Sequence, residues 1–359
     1  MPYPLNAWYV AAWDHELRHA LLPRQICGTP VVMYRRNDGR AVALEDACWH
    51  RMLPLSGGKL QGDDVVCGYH GLVFDSAGRC THMPFQERLP ASACVRSYPL
   101  VERNRFAWIW MGDPGLADPG KIPGLHWNDD PGWVGVPRVT HIECDYRLVL
   151  DNLLDLTHET YVHQSTIGNQ AVAEAPFETT GAADSVTVTR WMLNIEAPPL
   201  WAFALGKPGP VDRWQIVRYQ APCTVSIDVG VAPAGTGAPA GDRSQGVSGH
   251  VVNVITPETA RSNHYFSHFV RNYRVTDQRL TLQIAEAHRP VVDEDKAVLE
   301  AQQRSLERHA GRELRNLTPD AGSVRMRRIL SEMVAGEAQA AAAHHIIRRK
   351  TSTTTREEQ

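Results

Sequence analysis

The chain has 359 residues, 43% hydrophobic and 21% charged, with a formal net charge of −3. That length fits two ordinary domains or one large one with a sizeable core, and the weakly acidic balance removes the electrostatic grip that nucleic acid or an anionic membrane requires. No apolar run reaches the roughly 20 residues of a membrane span. The first sixteen residues lack a cationic start and are broken by Asp14 and Glu16, so they do not read as a secretory leader. Seven cysteines, odd in number and sparse, fit a reduced, cytoplasmic protein better than a disulfide framework.

The aromatic segment Asn6-Ala7-Trp8-Tyr9-Val10-Ala11-Ala12-Trp13 is expected to pack as an N-terminal turn. Short strands with turn punctuation follow. Pro30–Arg35 and Ala41–Leu44 flank Asn37-Asp38-Gly39, and Leu72–Asp75 and Arg79–Thr81 flank Ser76-Ala77-Gly78. Tyr98–Glu102 and Phe106–Trp110 close the set around Asn104 and Arg105. Residues 1–115 therefore predict a small all-β domain. The Pro- and Gly-rich run from Gly112 to Gly124 opens a linker over 116–135.

Residues 136–348 predict a second domain. Val136–Cys144 is a strand leading into an apolar helix. Ser185–Asn194, Trp214–Tyr219, Val225–Val231, Val251–Ile255 and Ser262–Phe269 alternate as strands of one antiparallel sheet. Ala234–Gly249 reads as a mobile loop. Helical patterns run from Thr276 to His309, with Pro290 expected to kink or split it, and from Pro319 to Ile347. Residues 349–359 read as a disordered tail. The class is α+β: an N-terminal all-β domain, then a domain built on an antiparallel sheet.

Two clusters carry chemistry. Cys48-Trp49-His50 and Cys67-Gly68-Tyr69-His70 form C-x-H and C-x2-H pairs with sixteen residues between them. Two thiolates and two imidazoles can hold zinc. They are also the ligand set of a Rieske 2Fe-2S cluster, in which two Cys hold one iron and two His the other. The tight C-x-H spacing and the local pairing of each Cys with a His favour the cluster. Cys27, Cys80, Cys94, Cys144 and Cys223 have no partner spacing and read as small buried hydrophobes.

The second cluster is Asp155-x2-His158-x4-His163, late in the apolar segment. A lone His pair on an apolar helix is more often satisfied core than ligand. Beside an electron-carrying cluster, two His plus one carboxylate is the set that non-haem Fe(II) oxygenases use. Asp293, Glu294 and Asp295 all offer the carboxylate, and equally suit a helix start. Asp155 and Asn152 fall on one helical stripe with His158. Asp155 is placed to accept a hydrogen bond from the His158 ring. Asp151, Glu159 and His141 read as solvent or capping groups. An anionic substrate needs a cation, for which Arg218 is the first candidate and Arg213 the second.

Both clusters together with Asn6–Ala11, Trp108–Asp113, Asp151–His158, Thr256–Thr259 and Arg271-Asn272 resemble the Rieske non-haem iron oxygenases over nearly the whole chain. His158–His163, Asp212–Ile216 and Gln302-Gln303-Arg304 are most similar to the branch that O-demethylates methoxylated aromatic acids, the vanillate O-demethylase oxygenases. The resemblance implies a Rieske domain followed by a helix-grip catalytic domain in a head-to-tail homotrimer. It implies iron ligands at His158, His163 and Asp295; Asn152, on the stripe with His158, is expected behind them. Asp155 is implied as a bridge between His70 of a neighbouring subunit and His158. Trp49 departs from the family pattern between Cys48 and His50. The positions matching the polar pocket of the dicamba-type relatives, Ile227, Asn253 and Glu286, include an apolar residue, which argues against dicamba as the substrate.

The implied reaction takes a vanillate-like acid, O2 and electrons from NADH to a phenol and formaldehyde. Without a G-x-G-x-x-G after a strand, the NADH site belongs to a separate ferredoxin-type reductase. Rival readings are a methyl-group monooxygenase of another arenecarboxylate or arenesulfonate, a Rieske-type electron carrier, and a zinc-bearing binding module.

Overall fold

The computed structural model describes residues 3–164 and 175–354, with side chains to residue 342. The N-terminal aromatic segment is a strand, β1 (Trp8–Trp13), not a turn. Every one of its residues is buried, and it pairs antiparallel with the strand Phe106–Trp110 at the edge of a three-stranded sheet. The strands β2 (Leu22–Ile26), β3 (Thr29–Arg35) and β4 (Ala41–Glu45) form one meander. Next come β5 (Lys59–Gln61), β6 (Asp64–Val66), β7 (Val73–Phe74) and β8 (Cys80–His82), a four-stranded sheet. Strand β9 (Leu100–Arg103) then leads into β10 (Phe106–Trp110).

The expected linker is packed rather than loose. It makes three short 3-10 turns, and the Trp8 indole N–H donates to Asp118 O at 2.8 Å. From there β11 (Val134–Ile142) enters a seven-stranded antiparallel sheet. Its other strands are β12 (Phe177–Gly181), β13 (Ser185–Ile195), β14 (Val211–Gln220), β15 (Thr224–Pro233), β16 (Val247–Thr259) and β17 (Ser262–Arg271). The order is β11-β17-β16-β15-β14-β13-β12. The expected strands all fall in this sheet, and β12 is an edge strand that the alternation did not reveal.

Helices cover one face of this sheet. Helix α1 (Tyr146–Leu154) starts at Asp145, whose carboxylate accepts from Arg147 N at 2.9 Å. Helix α2 (Glu159–Val162) is one turn, and α3 (Pro199–Leu205) closes one end of the sheet. Helix α4 (Gln278–Arg308) is capped by Asp277 and runs unbroken through Pro290. Helix α5 (Ala321–Thr354) continues through the start of the expected tail, and residues 355–359 lie outside the described residues.

One apolar core runs through β1, β10, α1 and the large sheet, while the cluster-bearing loops have a smaller core of their own. Hydrogen bonds cross between the two parts: Cys27 N to Pro257 O at 2.7 Å, and Thr256 Oγ1 to Val10 O at 2.7 Å. Ala234–Gly249 was expected to be mobile. It is anchored on the outer sheet face by Arg243, which lies 4.4 Å over the Trp214 ring and 2.7 Å from Asp228.

Candidate metal centres and cavity

Cys48 and Cys67 open two loops of matching construction. Cys48 N donates to Leu53 O (2.8 Å) and Met52 N to Cys48 O (2.9 Å). In the second loop Cys67 N donates to Leu72 O (2.8 Å) and Gly71 N to Cys67 O (3.1 Å). Each turns through a left-handed residue, Met52 at φ 59° and Gly71 at φ 73°. The loops also pack closely. A Cβ on Gly68 would stand 2.8 Å from Gly57 O, and one on Gly58 only 2.1 Å from Val66 O.

The two thiols are 2% exposed and in contact, and burial is the main reason the Cys48 thiol pKa is raised. The imidazoles of His50 and His70 meet nearer the surface, with Nδ1 atoms 3.1 Å apart. A tetrahedral zinc ion draws four ligands to one point. These four stand instead as a buried thiol pair and an imidazole pair nearer the surface. One iron per pair fits that division.

The group that does converge is His158, His163 and Asp295, whose ligand atoms lie within 4.8 Å of one another. The chain does not reach it as one helix. Helix α1 ends at Asp155, which is extended, and His158 caps α2. The Asp155 carboxylate holds this break by accepting from Thr157 N (2.7 Å) and Oγ1 (2.6 Å). The expected bond from the His158 ring to that carboxylate is therefore not made; His158 Nδ1 meets the backbone Asp155 O at 2.5 Å. His163 Nδ1 is held by Glu294 Oε2 at 2.8 Å. With both Nδ1 atoms engaged, the two Nε2 atoms face Asp295 Oδ1, at 3.6 Å from His158 and 3.2 Å from His163. Asn152 Nδ2 donates to the same oxygen at 3.1 Å. Burial by itself pulls the His163 pKa down, but Asp295 and Glu294 outweigh it and raise it.

Two imidazoles and one carboxylate gathered on one side, with the other side facing a cavity, fit a hexacoordinate ion that keeps open positions. The cavity is about 550 Å³ and mostly apolar, walled by Leu153, Ile227, Val229, Val251 and Phe269 among others. Ile227 is an apolar wall. Asn253 also lines it, but its amide is committed: it accepts from Tyr265 OH (2.7 Å) and donates to Val225 O (3.2 Å). Glu286 lies instead on an adjoining smaller cavity.

Arg218 is the clear misplacement. Side chains alternate across a strand, so on β14 Arg213 and Gln215 face the cavity while Trp214 and Arg218 face the opposite side. Arg218 is 48% exposed, 3.7 Å from Asp228 on that outer face. The second candidate, Arg213, is 6% exposed and lines the cavity; burial lowers its pKa and Glu159 opposes the shift. Glu159, expected as a solvent or capping group, is 8% exposed and accepts two bonds from Gln215. Asp151 is paired with Arg327. His288, unnoticed in the sequence, lines the cavity and is kept neutral by burial, its pKa pulled down to about 4.

Comparison with known proteins agrees with this geometry. Residues 7–99 match the Rieske [2Fe-2S] domain model, and residues 142–336 match the vanillate O-demethylase oxygenase C-terminal domain model. The chain belongs to the vanillate O-demethylase oxygenase family of Rieske monooxygenases. It is an oxygenase component carrying a Rieske 2Fe-2S cluster and mononuclear non-haem iron. The chain is 44% identical to the vanillate O-demethylase oxygenase subunit of a Pseudomonas species (strain HR199), covering 94% of this chain and 97% of the relative. It is 40% identical to the iron–sulfur subunit of the toluene-4-sulfonate monooxygenase system of Comamonas testosteroni, covering 92% and 97%. The crystal structure of dicamba monooxygenase with its dichlorosalicylic acid superimposes with a TM-score of 0.87 at 35% identity, covering 94% of this chain and 99% of that one. Another dicamba monooxygenase structure contains non-haem iron. No helix among the described residues is long and apolar enough to cross a membrane.

Proposed function

We propose that this oxygenase O-demethylates a vanillate-like methoxylated aromatic acid to the phenol and formaldehyde, as a cytoplasmic homotrimer. Electrons come from NADH through a separate ferredoxin-type reductase. The observation that carries the reading is the His158–His163–Asp295 group set in the wall of a mostly apolar cavity of about 550 Å³. A bare electron carrier needs neither feature. The cavity volume falls in the range of sites for small organic ligands.

In this reading Cys48, Cys67, His50 and His70 hold the cluster. His158, His163 and Asp295 hold the iron, with Glu294 and Asn152 orienting His163 and Asp295. When bound, the iron supplies O2 activation for hydroxylation of the methyl carbon and the cluster supplies the electrons. The chain's own part is geometric. Ile227, Val229, Val251 and Phe269 enclose the ring and exclude water. Asp155 has one carboxylate oxygen engaged by Thr157, which leaves the other for a partner across a subunit contact. There it is suited to bridge the partner subunit's His70 to His158. The balance is one methoxyarene, O2, NADH and a proton giving the phenol, formaldehyde, NAD⁺ and water.

The test is NADH- and reductase-dependent formaldehyde release across vanillate, veratrate, syringate, dicamba and toluenesulfonate. Release from the methoxylated carboxylates supports the reading. Oxidation of toluenesulfonate alone, without formaldehyde from any methoxyarene, replaces demethylation with methyl-group hydroxylation.

A further inference from the structure

Two buried guanidiniums stand against one buried carboxylate at the catalytic cavity. Arg190 is 1% exposed, Arg213 6% and Glu159 8%. Strand register sets Arg190 opposite Gln215, and Gln215 is two residues from Arg213 on the same face of β14. Glu159 sits close enough to oppose the effect of burial on both cations without cancelling it, and its two oxygens accept from the neutral Gln215 amide at 2.8 and 3.0 Å. Arg190 Nη1 donates to Leu156 O at 2.9 Å. The Arg213 guanidinium makes no hydrogen bond to any described residue, and its Nε is buried without a partner. The Gln215 Oε1 is likewise without a donor.

Arg190 has two carboxylates near it, Glu159 and Asp155, whereas Arg213 has Glu159 alone, with the Arg190 charge set against it. A buried charge without a partner destabilises a fold strongly, and a guanidinium recovers most when its planar fork meets a two-oxygen acceptor. Arg213 lines the same cavity as His158 and His163. We infer that Arg213 is the receptor for the anionic group of the substrate, a carboxylate or a sulfonate, and so fixes which end of the ring faces the metal ligands. The inference rests on the proposed use of this cavity for substrate. It assigns the substrate class as aromatic mono-anions, and it makes Glu159 and Gln215 the frame that leaves Arg213 unpaired until the anion arrives.

The test is equilibrium binding to the purified holoprotein, read by calorimetry, with vanillate and with guaiacol, the same ring without the carboxylate. Iron content and cluster absorption check the fold of each variant. R213Q is expected to weaken vanillate binding roughly 10- to 150-fold, the loss of a charge-assisted hydrogen-bonded pair, and to erase the preference for vanillate over guaiacol. R213K keeps the charge without the fork and should fall between wild type and R213Q, which preserves the test if R213Q does not fold. An unchanged vanillate preference in R213Q, or in R213K where R213Q does not fold, overturns the inference. The two proposals separate cleanly. Arg213-dependent vanillate binding without formaldehyde release sinks the reaction and keeps the receptor. Formaldehyde release with binding indifferent to Arg213 does the reverse.

Discussion

Three consecutive acids on α4 make unequal claims on the iron, and substitution of each by alanine ranks them. The Asp293 side chain is 58% exposed and stands 3.8 Å from Arg289. Such an exposed pair contributes little, so Asp293→Ala should leave iron affinity within about twofold of wild type. Glu294 is 24% exposed and holds His163 Nδ1 at 2.8 Å. A hydrogen bond to a charged group contributes about 1.5–3 kcal/mol, so Glu294→Ala should weaken iron binding roughly 10- to 150-fold. That agrees with the roughly 10- to 100-fold typical when the partner of a metal-bound histidine is removed. Asp295 is 10% exposed and its Oδ1 faces both Nε2 atoms. Asp295→Ala removes a ligand and should lose the iron altogether, as should His158→Ala. The assay is anaerobic Fe(II) titration of the chelator-stripped catalytic site, with Rieske absorption as the internal check on folding. Asp295→Ala binding iron more tightly than Glu294→Ala, or Asp293→Ala losing iron, would refute the assignment.

Two further outcomes follow from the geometry. Asp155→Asn keeps an oxygen to cap Thr157, so both metal centres should load normally while turnover stops for want of electrons; single-turnover cluster oxidation at the wild-type rate would sink the bridging role. His250 and His268 are buried and neutral, burial being the main cause that pulls their pKa values from 6.5 to about 4. The unfolded chain takes up these protons near pH 6.5 but the fold only near 4. Stability is therefore full above 6.5 and falls towards pH 4, by on the order of 3 kcal/mol per histidine. Urea midpoints should drop across that window and His268→Gln should flatten the drop; a level profile contradicts the argument.

Much of this molecule was legible in local spacing. Cys48, His50, Cys67 and His70 lie in two six-residue loops, and loops of fixed hydrogen bonding place their own side chains. His158 and His163 are likewise close in the chain. The five sheet strands announced themselves by length and alternation. Asp295 came from the family resemblance alone, since Asp293 and Glu294 offer the same carboxylate; in the fold it shares one helical stripe with Ile284, His288, Val291, Val292 and Leu299.

What the local sequence could not supply was the side of a surface on which a residue falls. On β14 both faces are buried, so alternation did not show that Arg213 looks into the cavity and Arg218 away from it. Register with β13 and β15 settles that, and register depends on the whole sheet. The same holds for Glu159, which looked like a capping acid until Gln215, 56 residues away, closed over it. Asp155 shows the limit most plainly. Its spacing promised one helical face with His158, but its own side chain bonds Thr157 and ends the helix. The sequence alone thus marked the two metal-ligand clusters proposed above, because ligand sets are local and chemically distinctive. Only the tertiary structure decided which cation faces the cavity and which acid stands beside His158 and His163, because both depend on the phase of distant elements packed against one another.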